Sequence, residues 1–457
     1  MRLFLPVAVF GCMFFVENTF AQLPQKKSPP RIATFSVEVT CPLNHPLIAG
    51  LRAPAKKIVD PLYARGFVLL TDEEPIVLCA IDWCEIRNGS YELWRTALAK
   101  AANTKTERVL VCCLHQHDAP VTDIGAEDIL AKAGLGGEMF NKDFEARCVQ
   151  RTADAVRECQ DKTRKVTHIG IGQAKVIDLA SNRRVELGKN QVTYARGSNS
   201  GGNNAFAAAP VGLIDPWLKT ISFWDGQKPI LAMHCYATHP MSYYGRGGVS
   251  ADFVGMARSL MEKKYPGIVQ IYVSGCSGDV TAGKYNDGST ANRPILANRL
   301  FQGMQKAWQK TDKYPWKEIR FRSVKLDLPY RKHPKYTAKV LQETVNDAKA
   351  PQRNRILAAM GLSSLRRVQA GKKMDFPCLD LGKAKIVLFP GEAFVAYQLQ
   401  AQKMVPDAFV MSIGYGECWP GYIPAAQGFR DNFSDMWLWV APGSEKNIAA
   451  GLKKILP

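Results

Sequence analysis

The chain has 457 residues, 46% of them apolar and 22% charged, which is ordinary for a globular protein and enough for one large domain or two modest ones. Sixty Lys and Arg against 41 Asp and Glu leave a net charge of +19, a surplus that favours anionic surfaces such as lipid headgroups. Beyond the N-terminus no apolar run reaches the ~18 residues of a membrane span, so none is expected.

Residues 1–21 begin with Arg2, continue through an apolar stretch from Leu3 to Val16 and end in Thr-Phe-Ala before Gln22, the pattern of a cleavable secretory signal. Cys12 is not read as a lipidation site, because the apolar run before it is short and continues past it. The mature chain is expected outside the cytoplasm, secreted or periplasmic. A Lys/Pro-rich linker spans 22–32, and a strand and helix alternation follows over 33–457. "EPIVLCAIDW" from Glu74 reads as a buried strand, "YELWRTALAKAANT" from Tyr91 as an amphipathic helix, and "RVLVCCL" from Arg108 as a strand that stops at two histidines. "PILAMHCYATHP" from Pro229 repeats the plan. "VSADFVGMARSLMEKKYPG" from Val249 predicts a helix capped by Ser250, and the strand from Ile268 runs into a glycine-rich loop. The basic, aromatic stretch from Lys313 is read as a solvated strand, because Ile319 and Phe321 alternate with Arg320 and Arg322; with no recognised module beside it, nucleic-acid binding is not expected. Two helical stretches between 335 and 375 look like a cover or insertion. "KAKIVLFPGEAF" from Lys383 gives a strand, a Pro-Gly turn and a helix starting near Glu392, and "AFVMSIGYGECWPGYIP" from Ala408 gives a last strand and a polar aromatic loop. The expected fold is α/β: a single large domain with a mixed β-sheet flanked by helices and the active site at the strand carboxyl ends.

Four of the seven histidines, His115, His117, His234 and His239, sit at two strand ends, while His45, His168 and His333 are isolated and receive no role. Two positions apart in an extended segment, His115 and His117 point to one face, an arrangement suited to a metal or to acid/base work. Zinc sites favour His nitrogen with one carboxylate and keep a position open for water; Glu392 offers the carboxylate, although a first-turn glutamate favoured by the helix dipole would look the same. His234 and His239 compete for one position. His239 is preferred, because it follows the apolar stretch and precedes a proline that stiffens the turn. The cysteines, including Cys79, Cys112, Cys113, Cys235 and Cys276, lie mostly inside apolar runs and are read as free buried thiols; the Cys79 and Cys84 spacing matches no zinc or redox motif.

The ordered motifs "LHQHDAP", "ATHPMS", "GDVT", "FPGEAF" and "PGYIP" resemble the N-terminal catalytic domain of the neutral/alkaline non-lysosomal ceramidases, over roughly residues 33 to 455. The resemblance implies zinc ligands at His115, His239, Glu392 and Tyr422, and Zn2+ as the cofactor. It assigns His117 to the reacting group, where spacing alone would also permit a ligand. "SNRR" resembles the family's Asn-Arg-Ser stretch and makes Arg183 a candidate to hold the oxyanion. Thr281 stands where the family has its active-site serine; it keeps a hydroxyl but adds a methyl that restricts its rotamers. The implied reaction is hydrolysis of a small-molecule or lipid N-acyl amide.

Departures bear on the substrate. The family's additional immunoglobulin-like C-terminal domain has no counterpart before Pro457, so functions that need it are not expected. A second active-site tyrosine about a dozen residues after Tyr422 is also missing from "AAQGFRDNFSD", which has Phe429 and Phe433 instead. The His-x-His-x-Asp-His signature of metallo-β-lactamase-like hydrolases does not fit, because Asp118 directly follows the second histidine and the last histidine is absent. Two readings stand: a secreted zinc amidohydrolase, and a non-catalytic secreted or envelope-associated binding protein on the same fold.

Overall fold

The computed structural model describes residues 1, 3–5, 29–188 and 191–456. Most of the expected signal peptide and linker, residues 6–28, lies outside the described residues.

Three larger sheets carry the β-structure. In the first, the strand order is 109–113, 76–81, 63–70, 31–38 and 164–165; in the second it is 269–274, 228–236, 217–225, 168–175 and 312–315; in the third it is 320–326, 374–380, 384–388 and 409–413. The expected mixed character therefore holds, divided over three sheets. Each sheet is antiparallel except for one parallel pair at an edge: Ile76–Ile81 with Val109–Cys113, Lys228–Tyr236 with Val269–Ser274, and Ala384–Leu388 with Phe409–Ile413. A helix joins the members of each pair, Asn88–Ala102, Asp252–Lys264 and Val395–Met404 respectively. The structure thus contains three βαβ units that no sequence repeat announces. Parallel strands packed on both faces need continuous apolar runs, and "IVLCAI", "VLVCC" and "AKIVL" are buried throughout.

The carboxyl ends of these pairs meet at the centre of the molecule. The Cys113 amide donates to the Tyr415 carbonyl at 2.9 Å, the Gly414 amide to the Ser274 carbonyl at 2.9 Å, and Ser274 Oγ to the Leu114 carbonyl at 2.7 Å. Each sheet thereby delivers its loop residues to one shared volume.

Local readings hold with shifts of a few residues. Ser250 stands one residue before the helix N-cap, where its Oγ accepts from the Asp252 amide at 2.9 Å. The helix expected near Glu392 starts at Val395 instead. Glu392–Ala393 form a two-residue parallel ladder with Tyr422–Ile423, so Glu392 is not a first-turn glutamate. The basic stretch forms the half-exposed edge strand Arg320–Leu326, and Ala338–Asn346 and Gln352–Gln369 pack as a helical pair that also covers helix Ile124–Lys132. All eleven described cysteines are free and buried, Cys79 and Cys84 included. No described helix is long and apolar enough to cross a membrane.

Candidate metal centre

His115 reaches the centre by leaving the strand. Extended pairing ends at Cys113, and the Leu114 and His115 amides donate to the Ile81 and Trp83 carbonyls at 3.0 Å each. His115 then adopts a left-handed backbone, φ 69°. That conformation is costly for a non-glycine residue and concentrates at functional positions. His115 and His117 do face one volume, with ring centroids 5.2 Å apart, but a broken strand rather than β alternation puts them there.

The His115 ring stacks on Tyr415 at 4.2 Å and 14°, and its Nδ1 donates to the Cys84 carbonyl at 3.0 Å. His239 follows the second sheet's parallel pair; its amide donates to the Val280 carbonyl at 2.9 Å and its Nδ1 to the Ser277 carbonyl at 2.5 Å. With both Nδ1 atoms committed to carbonyls, both Nε2 atoms keep a lone pair, the arrangement in which imidazoles bind metals. They point at one oxygen: Glu392 Oε2 lies 3.2 Å from His115 Nε2 and 3.0 Å from His239 Nε2. One donor atom from each of the three residues lies within 4.8 Å of the others, in a setting where all three side chains are buried. A divalent cation fits this set, which holds nitrogen and carboxylate donors and no competing lysine or arginine.

A second grouping, Cys84 with His115 and His117, also brings three donors together. There His115 Nδ1 lies 3.9 Å from Cys84 Sγ but is already bonded to the Cys84 carbonyl, and burial pushes the Cys84 thiol well above its usual range. The Nε2-facing set is chemically the better one.

Without a cation the cluster shares protons: burial opposes a charged His115 but Glu392 and Glu85 outweigh it and raise its pKa, whereas burial lowers that of His239. Burial opposes the Glu392 carboxylate, yet His115 and His239 outweigh it and hold the group far below the ordinary carboxyl range. Burial, followed by the charges of His115 and His239, pushes His117 well below the ordinary imidazole range, so it is neutral. A cleft of about 180 Å³ opens over the cluster; His115, His117, Arg183, Glu392 and Tyr422 all contribute to its lining. Arg183 Nη1 donates to Tyr422 Oη at 2.8 Å. Tyr422 is tied to the cluster through its backbone ladder with Glu392, and its ring lies 6.3 Å from that of His239.

No protein-family profile matches the sequence, and no curated protein matches it. Solved structures do. The neutral ceramidase from Pseudomonas aeruginosa superposes with a TM-score of 0.65 at 15% identity, covering 94% of this chain and 75% of its own. A ceramidase complexed with C2 gives 0.65 and 15%, covering 93% of this chain and 74% of its own. The chain has the neutral ceramidase fold.

Within this ceramidase-like fold Thr281 is placed differently from the expectation of an active-site hydroxyl. It is fully buried, pairs with Ser181 and forms a β-bridge with His239, while its Oγ1 accepts from the Gly283 amide at 3.0 Å. Its backbone bridge ties it to the turn that carries His239. His234 is a satisfied core residue, with Nδ1 2.8 Å from Thr220 Oγ1 and Nε2 2.9 Å from Gln270 Oε1. Phe433 packs edge-on against Tyr422 at 5.4 Å and brings no phenol.

Several residues around the cluster have no counterpart among the candidates read from the sequence. Tyr415 stacks on His115, shares a 2.8 Å hydrogen bond with Ser277 Oγ and lies 3.4 Å from His239 Nδ1, so one side chain braces both imidazoles. Glu85 is buried with Oε1 4.0 Å from His115 Nδ1. Tyr244 meets the His117 ring edge-on at 4.7 Å. A usable signal existed for Glu85: it follows the strand 76–81 at the same end of the sheet as His115 follows 109–113.

Proposed function

We propose that this chain is a zinc-dependent hydrolase that cleaves an N-acyl amide, ceramide-like or otherwise. The observation that carries the reading is the convergence of His115 Nε2, His239 Nε2 and Glu392 Oε2 beneath a cleft that also contains the Arg183–Tyr422 pair. Its location in a neutral ceramidase fold supports the same chemistry. Imidazole and carboxylate donors suit zinc, with Tyr422 as the fourth ligand. Zinc in such a site lowers the pKa of water from ~15.7 to about 7 and polarises a carbonyl.

The protein's own residues supply the rest. Arg183 is fixed by its bond to Tyr422 and directs positive charge into the cleft, where oxygen of a tetrahedral intermediate would gather negative charge. His117 is neutral and partly exposed, so its imidazole can contact the reacting carbonyl and exchange a proton with the departing amine. Thr281, Tyr415 and Glu85 act as positioning residues for the imidazoles. The N-terminal segment is proposed to send the chain out of the cytoplasm, and its net charge of +19 to favour approach to an anionic membrane surface.

The direct test combines metal analysis of purified protein with a panel of N-acyl substrates. The expected result is about one zinc per chain and a release of fatty acid that stops with chelator and returns with zinc. Protein that holds no metal and hydrolyses nothing is a binding protein on this fold. His234→Gln separates the two histidines of the second motif: it is expected to cost about 1–3 kcal/mol of stability, read from the denaturant midpoint, while zinc content stays unchanged.

A further inference from the structure

A second cavity adjoins the cleft above the His115/His239/Glu392 cluster. The first, about 180 Å³, is smaller than the ~300–1,000 Å³ usual for ligand pockets. The second measures about 330 Å³, and the two share Arg52, Ser198 and Tyr244 as wall residues, so a substrate too large for the first has the second directly beside it. Their linings differ in kind. The part of the cleft outside the shared wall has an apolar face of Ile48, Leu51, Met436 and Trp437, at whose edge Arg353 rests on Met436 Sδ at 3.1 Å and Asp435 joins the lining. The second cavity has Arg52 and Arg246 in its wall together with Ser198 and Asn199, and no described carboxylate lines it.

Both arginines are exposed and neither is in direct contact with a carboxylate among the described residues; Arg246 lies over the Tyr243 ring at 5.7 Å and feels the Asp118 charge at longer range, while the acids beside the cavities have other partners. Asp118 accepts from the Gly245 amide at 2.8 Å and lies 3.9 Å from Arg293, and Asp435 accepts from the Trp437 amide at 2.9 Å. The Arg52 stem lies along Gly245, whose φ is +81°; a Cβ there would come within 3.1 Å of Arg52 Cδ. The loop therefore leaves room for the arginine between the cavities. The stem is held and the guanidinium is left without a counter-charge.

We infer that the substrate bears an anionic group, such as a carboxylate or sulfonate, on the amine side of its scissile amide, with the acyl chain on the apolar face and the anion between Arg52 and Arg246. This rests on the N-acyl hydrolase reading above. The reaction remains a hydrolysis: water oxygen bonds to the acyl carbon, the C–N bond breaks, and the nitrogen takes a proton to leave as an amino acid or its sulfonate analogue.

The test compares N-dodecanoylglycine with N-dodecanoylethanolamine, which share the acyl chain and differ in charge. Binding by calorimetry and turnover by fatty-acid release are both measured, on wild-type protein and on the Arg52→Gln/Arg246→Gln double variant. The wild type is expected to bind the glycine conjugate at least about tenfold more tightly, and the double variant to bring that ratio close to one. Equal binding of the two compounds, a ratio that survives the double variant, or free glycine competing as well as its acyl conjugate would each overturn the inference. Selective binding without hydrolysis of either compound leaves the anion subsite standing and removes the hydrolase reading. Equal binding and equal kcat/KM for both keeps the hydrolase and removes the subsite.

Discussion

On the proposed function, His239→Ala is expected to lose the metal and with it all turnover, and His117→Ala to keep the metal and lose about 10²–10³ in kcat. The difference follows from where each ring points. His239 Nε2 lies 3.0 Å from the Glu392 oxygen that His115 also faces, and its Nδ1 is held by the Ser277 carbonyl, so alanine removes one of three converging donors. Changing even the residue that orients a ligand typically weakens metal affinity 10- to ~100-fold, and loss of the ligand itself exceeds that. His117 stands to one side, with ring centroids 5.2 Å from His115 and 6.0 Å from His239, against Tyr244 and within the cleft. Its removal leaves the three donors in place and is expected to delete the proposed contact to the reacting group. Metal content by elemental analysis, beside hydrolysis of the N-acyl panel, reads both effects. Equal metal loss in the two variants would make His117 a ligand and would revive the grouping on the Cys84 side.

Arg87→Ala is expected to cost about 3–5 kcal/mol, the largest effect on stability foreseen for a single side chain outside the metal cluster. Arg87 is completely buried. It donates to Glu85 Oε2 at 2.9 Å, to the Cys418 and Trp419 carbonyls at 2.8 and 3.2 Å, and to Ser364 Oγ at 3.1 Å. Asp123 Oδ2 is 3.6 Å from its Nε, and the guanidinium carbon lies 4.4 Å from the centroid of a Trp439 ring. Removing the cation strands two buried carboxylates, one of them beside His115. It also frees the loop that carries the chain from Cys418 to Tyr422. Urea unfolding measures the loss, and zinc titration of the surviving folded protein should show weakened affinity. An unchanged midpoint would mean that Glu85 and Asp123 find other partners or are protonated at little cost.

The metal cluster and the buried ionic network were not equally legible. His115, His239 and Glu392 stand out because each interrupts an apolar run at its carboxyl end, and a run of buried residues is a local property. Arg87 and Glu85 sit in "CEIRNGS", where nothing nearby distinguishes a buried ion pair from a solvated loop. Their partners lie as far as 332 positions away. Tyr415 was passed over because its role depends on a ring contact with His115 across two sheets. Thr281 was singled out because it stands where the resembled family has a serine; its β-bridge to His239 is invisible in the sequence.

Hydropathy period, turn residues and strand-end polar groups are written into short stretches of chain, and from them came the alternating strands and helices, the free buried cysteines and the residues to suspect of binding metal. Folding in three dimensions settled the rest: most of the β-structure falls into three larger sheets, each with a parallel pair; the ends of those pairs are joined by hydrogen bonds; and His239 and Glu392, 153 positions apart, lie 3.0 Å from each other. The physical reason is that a residue's own burial depends on its segment, while its neighbours depend on how whole sheets pack. Side chains on different sheets meet only after each sheet has buried its own face.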